Sequence, residues 1–410
     1  MQYGLLGKTL SHSHSPWIHS LFGNSQYSLF EVPEDAVDSF MRERPFSAIN
    51  VTIPYKQTVL TYCDTLSPEA AKLGNVNTIL NAKGHLCGFN TDYYGFMMLA
   101  KLHQFNFNNA RVLVLGSGGS SLTVQAVLQD SGVDELHVVS RNGQWNYANV
   151  YEHADADFII NTTPVGMSPN VGGISLDLMR FNRLRGVIDL IYNPLRTNLL
   201  LQARELGIPA ANGLSMLVFQ AKLAHELFFS AAVSDADAIS VLRKMQGFLQ
   251  NIVLIGMPGC GKSTIGRVLA EKLGRQFIDT DAWIEERCAM SIPQIFAAHG
   301  ETWFREVEKQ AVLAASLEQG VVIATGGGVV LFEENRQALL RDGRVFFLDR
   351  DIQSLSREGR PLSQSDDALA VLRKEREPYY KQMADRIILV ADDADKTAEK
   401  ILSEVDSIYY

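Results

Sequence analysis

The chain has 410 residues, room for about three domains of ordinary size, so we expect several lobes rather than one core. Hydrophobic residues make up 46% and charged residues 20%, which is typical of a soluble globular protein, and no apolar run approaches the roughly 18 residues of a membrane span. The formal net charge of −9 disfavours a nucleic-acid partner, because phosphate backbones are bound by clustered Lys and Arg.

The N-terminal residues MQYGLLGKTLSHSHSP lack the basic start, apolar stretch and cleavage site of an export signal. We therefore expect a cytoplasmic protein whose partners are small molecules. The cysteines form no CxxC pair, which argues against a disulfide framework or a zinc site. The four are Cys63, Cys87, Cys260 and Cys288.

Residues 1–105 mix strand-like runs with helical ones and precede a nucleotide-binding pattern, which predicts a separate lobe. Three polar stretches stand out in it: SHSHSP (11–16), NVTIPYK (50–56) and GFNTDYYG (88–95). Taken singly, each is typical of an ordinary turn or helix start. His12 and His14 are interpreted as loop residues rather than metal ligands.

The segment RVLVLGSGGSS (111–121) is an apolar strand that enters a glycine turn, and a helical stretch and the strand LHVVSR (136–141) follow it. With two more buried strands and a helix that ends at Gly207, this order predicts a doubly wound, Rossmann-like lobe over 106–212. The apolar helix at 214–229 is expected to return to the first lobe and line a cleft, so that 213–246 completes that lobe.

The segment GMPGCGKS matches the P-loop pattern of Gly, four residues, Gly, Lys and Ser/Thr. It lies between the strand NIVLIG and the helix STIGRVLAEKL, so backbone N–H groups and a helix N-terminus converge on an anion. Lys262 can reach the β and γ phosphates of ATP, and Ser263 offers a hydroxyl to Mg²⁺. The residues assigned to the nucleotide are Gly256, Gly259, Cys260, Gly261, Lys262, Ser263 and Thr264.

Downstream of this loop, FIDTD places Asp279 and Asp281 in alternation along a strand end, and IEERCAMSIPQIFAAHGETWFREVE and VVIATGGGVV follow. With these motifs the segment 250–410 resembles shikimate kinase, a P-loop α/β domain with a central parallel sheet. The resemblance implies that Ser263 and Asp279 bind Mg²⁺. It also implies that Asp281 orients or deprotonates the attacking hydroxyl and that Arg360 is a lid arginine. It implies a shikimate site of Asp281, Arg305, Gly326, Gly327, Gly328 and Arg376. Arg305 with Glu308 also fits a simple i,i+3 helix pair.

The three polar stretches, together with NTTPVGM (161–167), DLIYNPLRT (189–197) and NGLSMLVFQA (212–221), resemble shikimate dehydrogenase over residues 1–246. The resemblance implies that Lys56 and Asp92 are the catalytic pair. It implies substrate contacts by Ser13, Ser15, Thr52, Asn77, Asn90, Tyr192 and Gln220. A cationic lysine beside an aspartate suits ketone reduction, because it polarises the carbonyl oxygen and supplies its proton.

The turn GSGGSS has Ser121 where a strict GxGxxG has its third glycine. Ser140 and Arg141 end the next strand, where an NAD site usually carries a carboxylate, and this favours NADPH because a guanidinium pairs with the 2′-phosphate. An ordinary surface arginine is the alternative. The cofactor residues assigned here are Gly116, Ser117, Gly118, Gly119, Ser120 and Arg141.

The sequence therefore predicts a two-lobed dehydrogenase fused to a kinase: a substrate lobe at 1–105 completed by 213–246, an NADP lobe at 106–212 and a kinase domain at 250–410. The fused enzyme would reduce 3-dehydroshikimate to shikimate with NADPH and phosphorylate shikimate with ATP and Mg²⁺. One alternative is a shikimate-binding or quinate-binding regulator that has lost catalysis. Another is a quinate dehydrogenase, or a kinase for another small metabolite.

Overall fold

The structure is a computed structural model, and it describes residues 2–10, 13–173, 176–355 and 366–405. The chain divides into two compact units, one of residues 1–193 and 202–245 and the other of residues 194–201 and 246–409. No helix in the described ranges is long and apolar enough to cross a membrane.

The first unit begins with a mixed sheet. Its strands in the described chain are β1 (Tyr3–Gly7), β2 (Tyr27–Glu31), β3 (Ala48–Val51), β4 (Thr65–Leu66), β5 (Thr78–Ala82) and β6 (His85–Phe89). They lie in the order β2-β1-β3-β5-β6-β4, and β5 runs antiparallel to both of its neighbours. The helices of this part are α1 (Ser15–Leu21), α2 (Val37–Glu43), α3 (Pro68–Leu73) and α4 (Thr91–Leu102).

The second sheet of this unit is parallel. Its strands are β7 (Arg111–Leu115), β8 (Glu135–Val139), β9 (Phe158–Asn161), β10 (Gly186–Asp189) and β11 (Ala210–Asn212), in the order β11-β10-β9-β7-β8. The helices here are α5 (Gly119–Asp130) and α6 (Asn198–Glu205). Every residue of β9 and β10 is buried, as parallel strands covered on both faces require. The predicted Rossmann-like lobe is confirmed.

Two helices join these sheets. Helix α4 packs Phe96 and Leu99 against the second sheet. Helix α7 (Leu214–Phe229) packs Ala224 and Phe228 against the first sheet. Helix α8 (Asp235–Leu249) continues past Gly247, and Gln250 N still donates to Gln246 O at 2.9 Å.

The second unit contains a third sheet, of β12 (Asn251–Ile255), β13 (Phe277–Asp279), β14 (Val322–Ala324), β15 (Gly343–Asp349) and β16 (Arg386–Leu389). All its pairs are parallel, and the order is β13-β14-β12-β15-β16. The helices are α9 (Lys262–Leu273), α10 (Thr280–Cys288), α11 (Ile292–Leu317, broken at Gly300), α12 (Glu333–Asp342), α13 (Asp366–Met383) and α14 (Ala394–Val405). The predicted P-loop fold with a central parallel sheet is confirmed.

Candidate active sites

A cavity of about 400 Å³ in the first unit collects side chains from all three polar stretches of the N-terminal sequence and from helix α7. The predicted residues that line it are Ser13, Ser15, Thr52, Lys56, Asn77, Asp92, Ser120, Tyr192 and Gln220. Burial raises the pKa of Tyr192 above its ordinary value. Residues that are far apart in the chain thus form one polar pocket of the size that small ligands occupy.

Lys56 and Asp92 form an ion pair at one wall of this cavity. Lys56 Nζ lies 2.6 Å from Asp92 Oδ2, and the side chains are 25% and 18% exposed. Asp92 stands in the first turn of α4, where the helix dipole favours a carboxylate. The pair can therefore hold, donate or accept a proton at a position that a ligand reaches.

Asn90 and Asn77 have different surroundings. Asn90 caps helix α4 by accepting from Tyr93 N at 3.3 Å, its amide donates to Asn75, and it is absent from the cavity lining. Asn77 lines the cavity and accepts from Thr91 N at 2.7 Å. Sequence reasoning missed Asn50, which also lines the cavity. Its position two residues before Thr52, on the same face of an extended segment, is the signal that could have revealed it.

The turn between β7 and α5 presents open backbone. Gly116 has φ 103°, and a Cβ there would come within 2.7 Å of Thr162 Oγ1. At Gly118 and Gly119 a Cβ would meet nothing within 4 Å, and α5 has no side-chain cap. Uncapped N–H groups beside open space fit a dinucleotide pyrophosphate. Ser117 and Arg141 are exposed, the latter just beyond β8.

The phosphate loop of the second unit depends on three glycines. Gly256, Gly259 and Gly261 have φ values of 147°, 85° and 101°, which side chains rarely allow. Lys262 Nζ donates to the carbonyl oxygens of Gly256 and Met257, at 2.9 and 3.0 Å. The Cys260 side chain is buried in the core, so of this residue only the backbone could contact a ligand. Thr264 is exposed in the first turn of α9.

Ser263 and Asp279 meet beside this loop. Ser263 Oγ donates to Asp279 Oδ2 at 2.6 Å, and a hydroxyl with a carboxylate suits a magnesium ion that also binds phosphate. Asp279 Oδ1 accepts from the N–H groups of Asp281 and Ala282 and so caps helix α10. The expectation that Asp281 extends a strand was wrong, because this cap starts the helix at Thr280 and places Asp281 in its first turn.

Two carboxyl groups face the glycine run of residues 326–328, those of the half-buried Asp281 and the buried Glu308. A Cβ on Gly326 would lie 2.8 Å from Asp281 Oδ1 and 2.9 Å from Glu308 Oε1. Burial, with the charge of Asp279 beside it, raises the pKa of Asp281 to about 7 although Lys262 lowers it. Burial also raises the pKa of Glu308, against the charge of Arg305. Sequence reasoning took Glu308 only as a helix partner, and it is 1% exposed.

Two buried arginines stand near these carboxyls. Arg305 pairs with Glu301 at 2.8 Å and Glu308 at 2.9 Å, and its guanidinium occupies the space that a Cβ on Gly328 would need. Arg305 therefore makes the i,i+3 ion pair with Glu308 and also lies against the glycine run. Arg376 is 4% exposed, and its Nε has no hydrogen-bond partner within the described residues.

Two parts of the predicted kinase site remain, the glycine run itself and Arg360. A Cβ on Gly327 would come within 2.7 Å of Pro258 in the phosphate loop, so the two loops are in close contact. The Gly327 carbonyl oxygen accepts from Tyr380 Oη. Arg360 lies outside the described residues.

Known proteins resemble both parts of the chain. Residues 5–79 match the family model of the shikimate dehydrogenase substrate binding domain, and residues 258–406 match that of shikimate kinase. The NADP(+) shikimate dehydrogenase of Clostridium beijerinckii is 37% identical over 245 residues, which cover 55% of this chain and 91% of the relative. The chain belongs to the shikimate dehydrogenase family.

Its C-terminal part is a shikimate kinase domain, so the chain is a bifunctional enzyme of the shikimate pathway, with an NADP-dependent dehydrogenase and an ATP-dependent kinase. A shikimate dehydrogenase of Bacillus mycoides is 32% identical and is covered over 99% of its length, against 60% of this chain. The crystal structure of a chorismate mutase/shikimate 5-dehydrogenase fusion from Clostridium acetobutylicum has a TM-score of 0.57 at 34% identity, covering 60% of this chain and 96% of that one.

The dehydrogenase family has also been solved with ligands. Shikimate 5-dehydrogenase from Thermus thermophilus, in complex with NADP(H) and shikimate, has a TM-score of 0.54 at 29% identity. The likeness covers 60% of this chain and 99% of that one.

Proposed function

We propose that the dehydrogenase reduces 3-dehydroshikimate to shikimate with NADPH and that the kinase domain phosphorylates the 3-hydroxyl of shikimate with MgATP. The observation that carries the first step is the ion pair of Lys56 and Asp92 at the wall of a polar cavity. The observation that carries the second is a phosphate loop in contact with a glycine run that both carboxyl and guanidinium groups face.

In the dehydrogenase, Lys56 polarises the substrate ketone and delivers the proton that the carbonyl oxygen requires, and Asp92 keeps the ammonium oriented. Hydroxyl and amide groups around the pair suit a ring acid with several hydroxyls, because an analogue that lacks one leaves buried polar atoms unpaired. The residues in this role are Ser13, Ser15, Thr52, Asn77, Tyr192 and Gln220. Asn90 supports them from outside the cavity lining as the cap of α4.

The nicotinamide cofactor supplies the hydride when it is bound. Gly118 and Gly119 leave room for its pyrophosphate, Gly116 gives the turn its positive φ, and Ser117 and Ser120 are the serines of the turn. Arg141 carries a positive charge just beyond β8, where the ribose phosphate of NADPH would favour a guanidinium over a carboxylate.

In the kinase, Asp281 accepts the proton of the attacking hydroxyl. A carboxyl whose pKa is raised to about 7 by burial, as that of Asp281 is, is well matched to this role. The unpartnered Nε of Arg376 and the guanidinium of Arg305 would bind the carboxylate of shikimate, beside the backbone of Gly326, Gly327 and Gly328.

The nucleotide supplies the transferred phosphoryl group. Lys262 and the N–H groups of the loop would hold its phosphates, and Ser263 and Asp279 would hold Mg²⁺. Arg360, as the lid arginine, would stabilise the charge of the transferring group.

A coupled assay tests both steps with the full chain. Supplied with 3-dehydroshikimate, NADPH and MgATP, the enzyme should form shikimate 3-phosphate. Omitting NADPH should leave 3-dehydroshikimate unchanged, and omitting MgATP should stop the sequence at shikimate. Phosphorylated product formed without NADPH, or reduction that requires NADH instead, would contradict the proposal.

A further inference from the structure

A series of buried hydrogen bonds begins at Tyr27, behind the dehydrogenase cavity. Tyr27 Oη donates to Asn50 Oδ1 at 2.7 Å, and Asn50 Nδ2 donates to Thr78 Oγ1 at 3.0 Å. Thr78 Oγ1 in turn donates to Asn77 Oδ1 at 3.0 Å. Of these four residues only Asn50 and Asn77 line the cavity, so the series links remote strands to its wall.

The series continues through Thr91 to helix α7. Asn77 Nδ2 donates to Thr91 Oγ1 at 3.0 Å, and Thr91 Oγ1 donates to Gln220 Oε1 at 3.4 Å. We name the whole series the buried relay: Tyr27, Asn50, Thr78, Asn77, Thr91 and Gln220.

Backbone groups fix the orientation of two of the amides that line the cavity, those of Asn77 and Gln220. Thr91 N donates to Asn77 Oδ1 at 2.7 Å, and a backbone N–H can only donate, so the oxygen of this amide must point there. Gln220 Nε2 donates to Leu217 O at 2.9 Å, and a carbonyl oxygen can only accept. Each amide nitrogen then keeps one proton that no described residue accepts.

We propose that the buried relay holds Asn77 and Gln220 as hydrogen-bond donors to the substrate, with Tyr27, Asn50 and Thr78 as positioning residues. This inference rests on the proposed function, because it requires that the cavity binds shikimate. The donors select oxygen atoms that accept, such as a carboxylate or a ring hydroxyl, and they reject a group that can only donate.

The links at Thr78 and Thr91 are sealed from water, so solvent cannot replace a hydrogen bond lost there. Thr78 and Thr91 are 0% exposed and Asn50 is 5% exposed. The His19 ring stacks on Tyr27 with centroids 4.1 Å apart, and burial lowers the pKa of His19 to about 3, so this neighbour is uncharged. A buried amide that loses one partner is free to turn, and a turned amide presents the wrong atom to the ligand.

A matched pair of variants at Thr78 tests the relay in the full chain. Thr78→Val keeps the side-chain shape but removes the hydroxyl, and we expect the KM for shikimate to rise about three- to tenfold, the effect of one misplaced hydrogen bond. The kcat should stay within about twofold and the KM for NADP⁺ should not change. The reason is that the substitution touches neither the Lys56–Asp92 ion pair nor the turn between β7 and α5. Thr78→Ser restores the hydroxyl and should return the KM to near the wild-type value.

Tyr27→Phe removes the first link and should raise the same KM, whereas Tyr62→Phe, which loses only a bond to the exposed Asp38, should not. A merely structural role would lower the active fraction, and hence Vmax, without moving the KM. If the wild type oxidises shikimate and Thr78→Val keeps its KM, the relay is wrong and the proposed function stands. A wild type that does not oxidise shikimate overturns both.

Discussion

Lys56 Nζ and Asp92 Oδ2 lie 2.6 Å apart, although 36 positions separate the two residues in sequence. The same distance joins Lys72 to Asp130 in this unit, but those side chains are 43% and 48% exposed and lie outside the cavity lining. The difference between the two ion pairs is their location, because of the two only the Lys56–Asp92 pair lines the cavity.

This contrast provides a matched test of the catalytic pair. Lys56→Ala should reduce dehydrogenase kcat by at least about 100-fold, because the proton donor is lost. Lys72→Ala should leave it within about twofold, since exposed ion pairs contribute little. Steady-state assays of both activities decide the matter, and an equal loss of kinase and dehydrogenase activity in Lys56→Ala would indicate a folding defect instead.

The proposed role of the turn between β7 and α5 in cofactor binding can be tested with an added methyl group. Gly118 and Gly172 both have open space where a Cβ would stand, and neither has a positive φ. Gly118→Ala should raise the KM for NADPH about tenfold or more, because the methyl group occupies the space of the pyrophosphate. Gly172→Ala is the control and should change nothing. An unchanged KM in Gly118→Ala would remove the turn from the cofactor site.

The raised pKa of Asp281 gives a stability prediction with a definite sign. The folded protein holds this proton up to about pH 7, whereas the ordinary pKa of an aspartate, which applies in the unfolded chain, is 3.8. The stability of the kinase domain therefore falls as pH rises between these values. Asp281→Asn removes the penalty and should raise Tm at pH 8 by about 3 °C or more, with a smaller gain at pH 5.

The same variant should abolish kinase activity and spare the dehydrogenase. Asp392→Asn, at a fully exposed side chain, is the control and should change Tm by no more than about 1 °C. Differential scanning calorimetry at several pH values provides the measurement. A gain in Tm that is equal at pH 5 and pH 8 would show that burial does not hold the proton on Asp281.

Gly328 sets the position of Arg305. A methyl group there would overlap the guanidinium, so Gly328→Ala should displace it and raise the kinase KM for shikimate about tenfold or more, the value of a lost hydrogen bond to a charged group. The KM for ATP should stay near its wild-type value. Dehydrogenase turnover in the same preparation serves as the internal control, and a rise in the KM for ATP alone would contradict the assignment of Arg305.

Much of the architecture could be predicted because its signals are local. Gly256, Gly259 and Gly261 need backbone angles that few other residues adopt, and they stand between a buried strand and a helix. The glycine turn after β7 could be recognised in the same way. Such patterns are readable because neighbours in sequence are also neighbours in space.

The sequence by itself thus determined the two nucleotide-binding folds, their order and the short motifs that carry Lys56, Asp92 and Lys262. Only the tertiary structure decided the environment of each group. It placed Asp281 beside the buried Glu308, turned the Cys260 side chain into the core and joined Tyr27 to Gln220 through four intervening side chains. The physical reason is that burial and hydrogen-bond direction depend on residues brought together by strand pairing and helix packing, and spacing along the chain does not encode those partners.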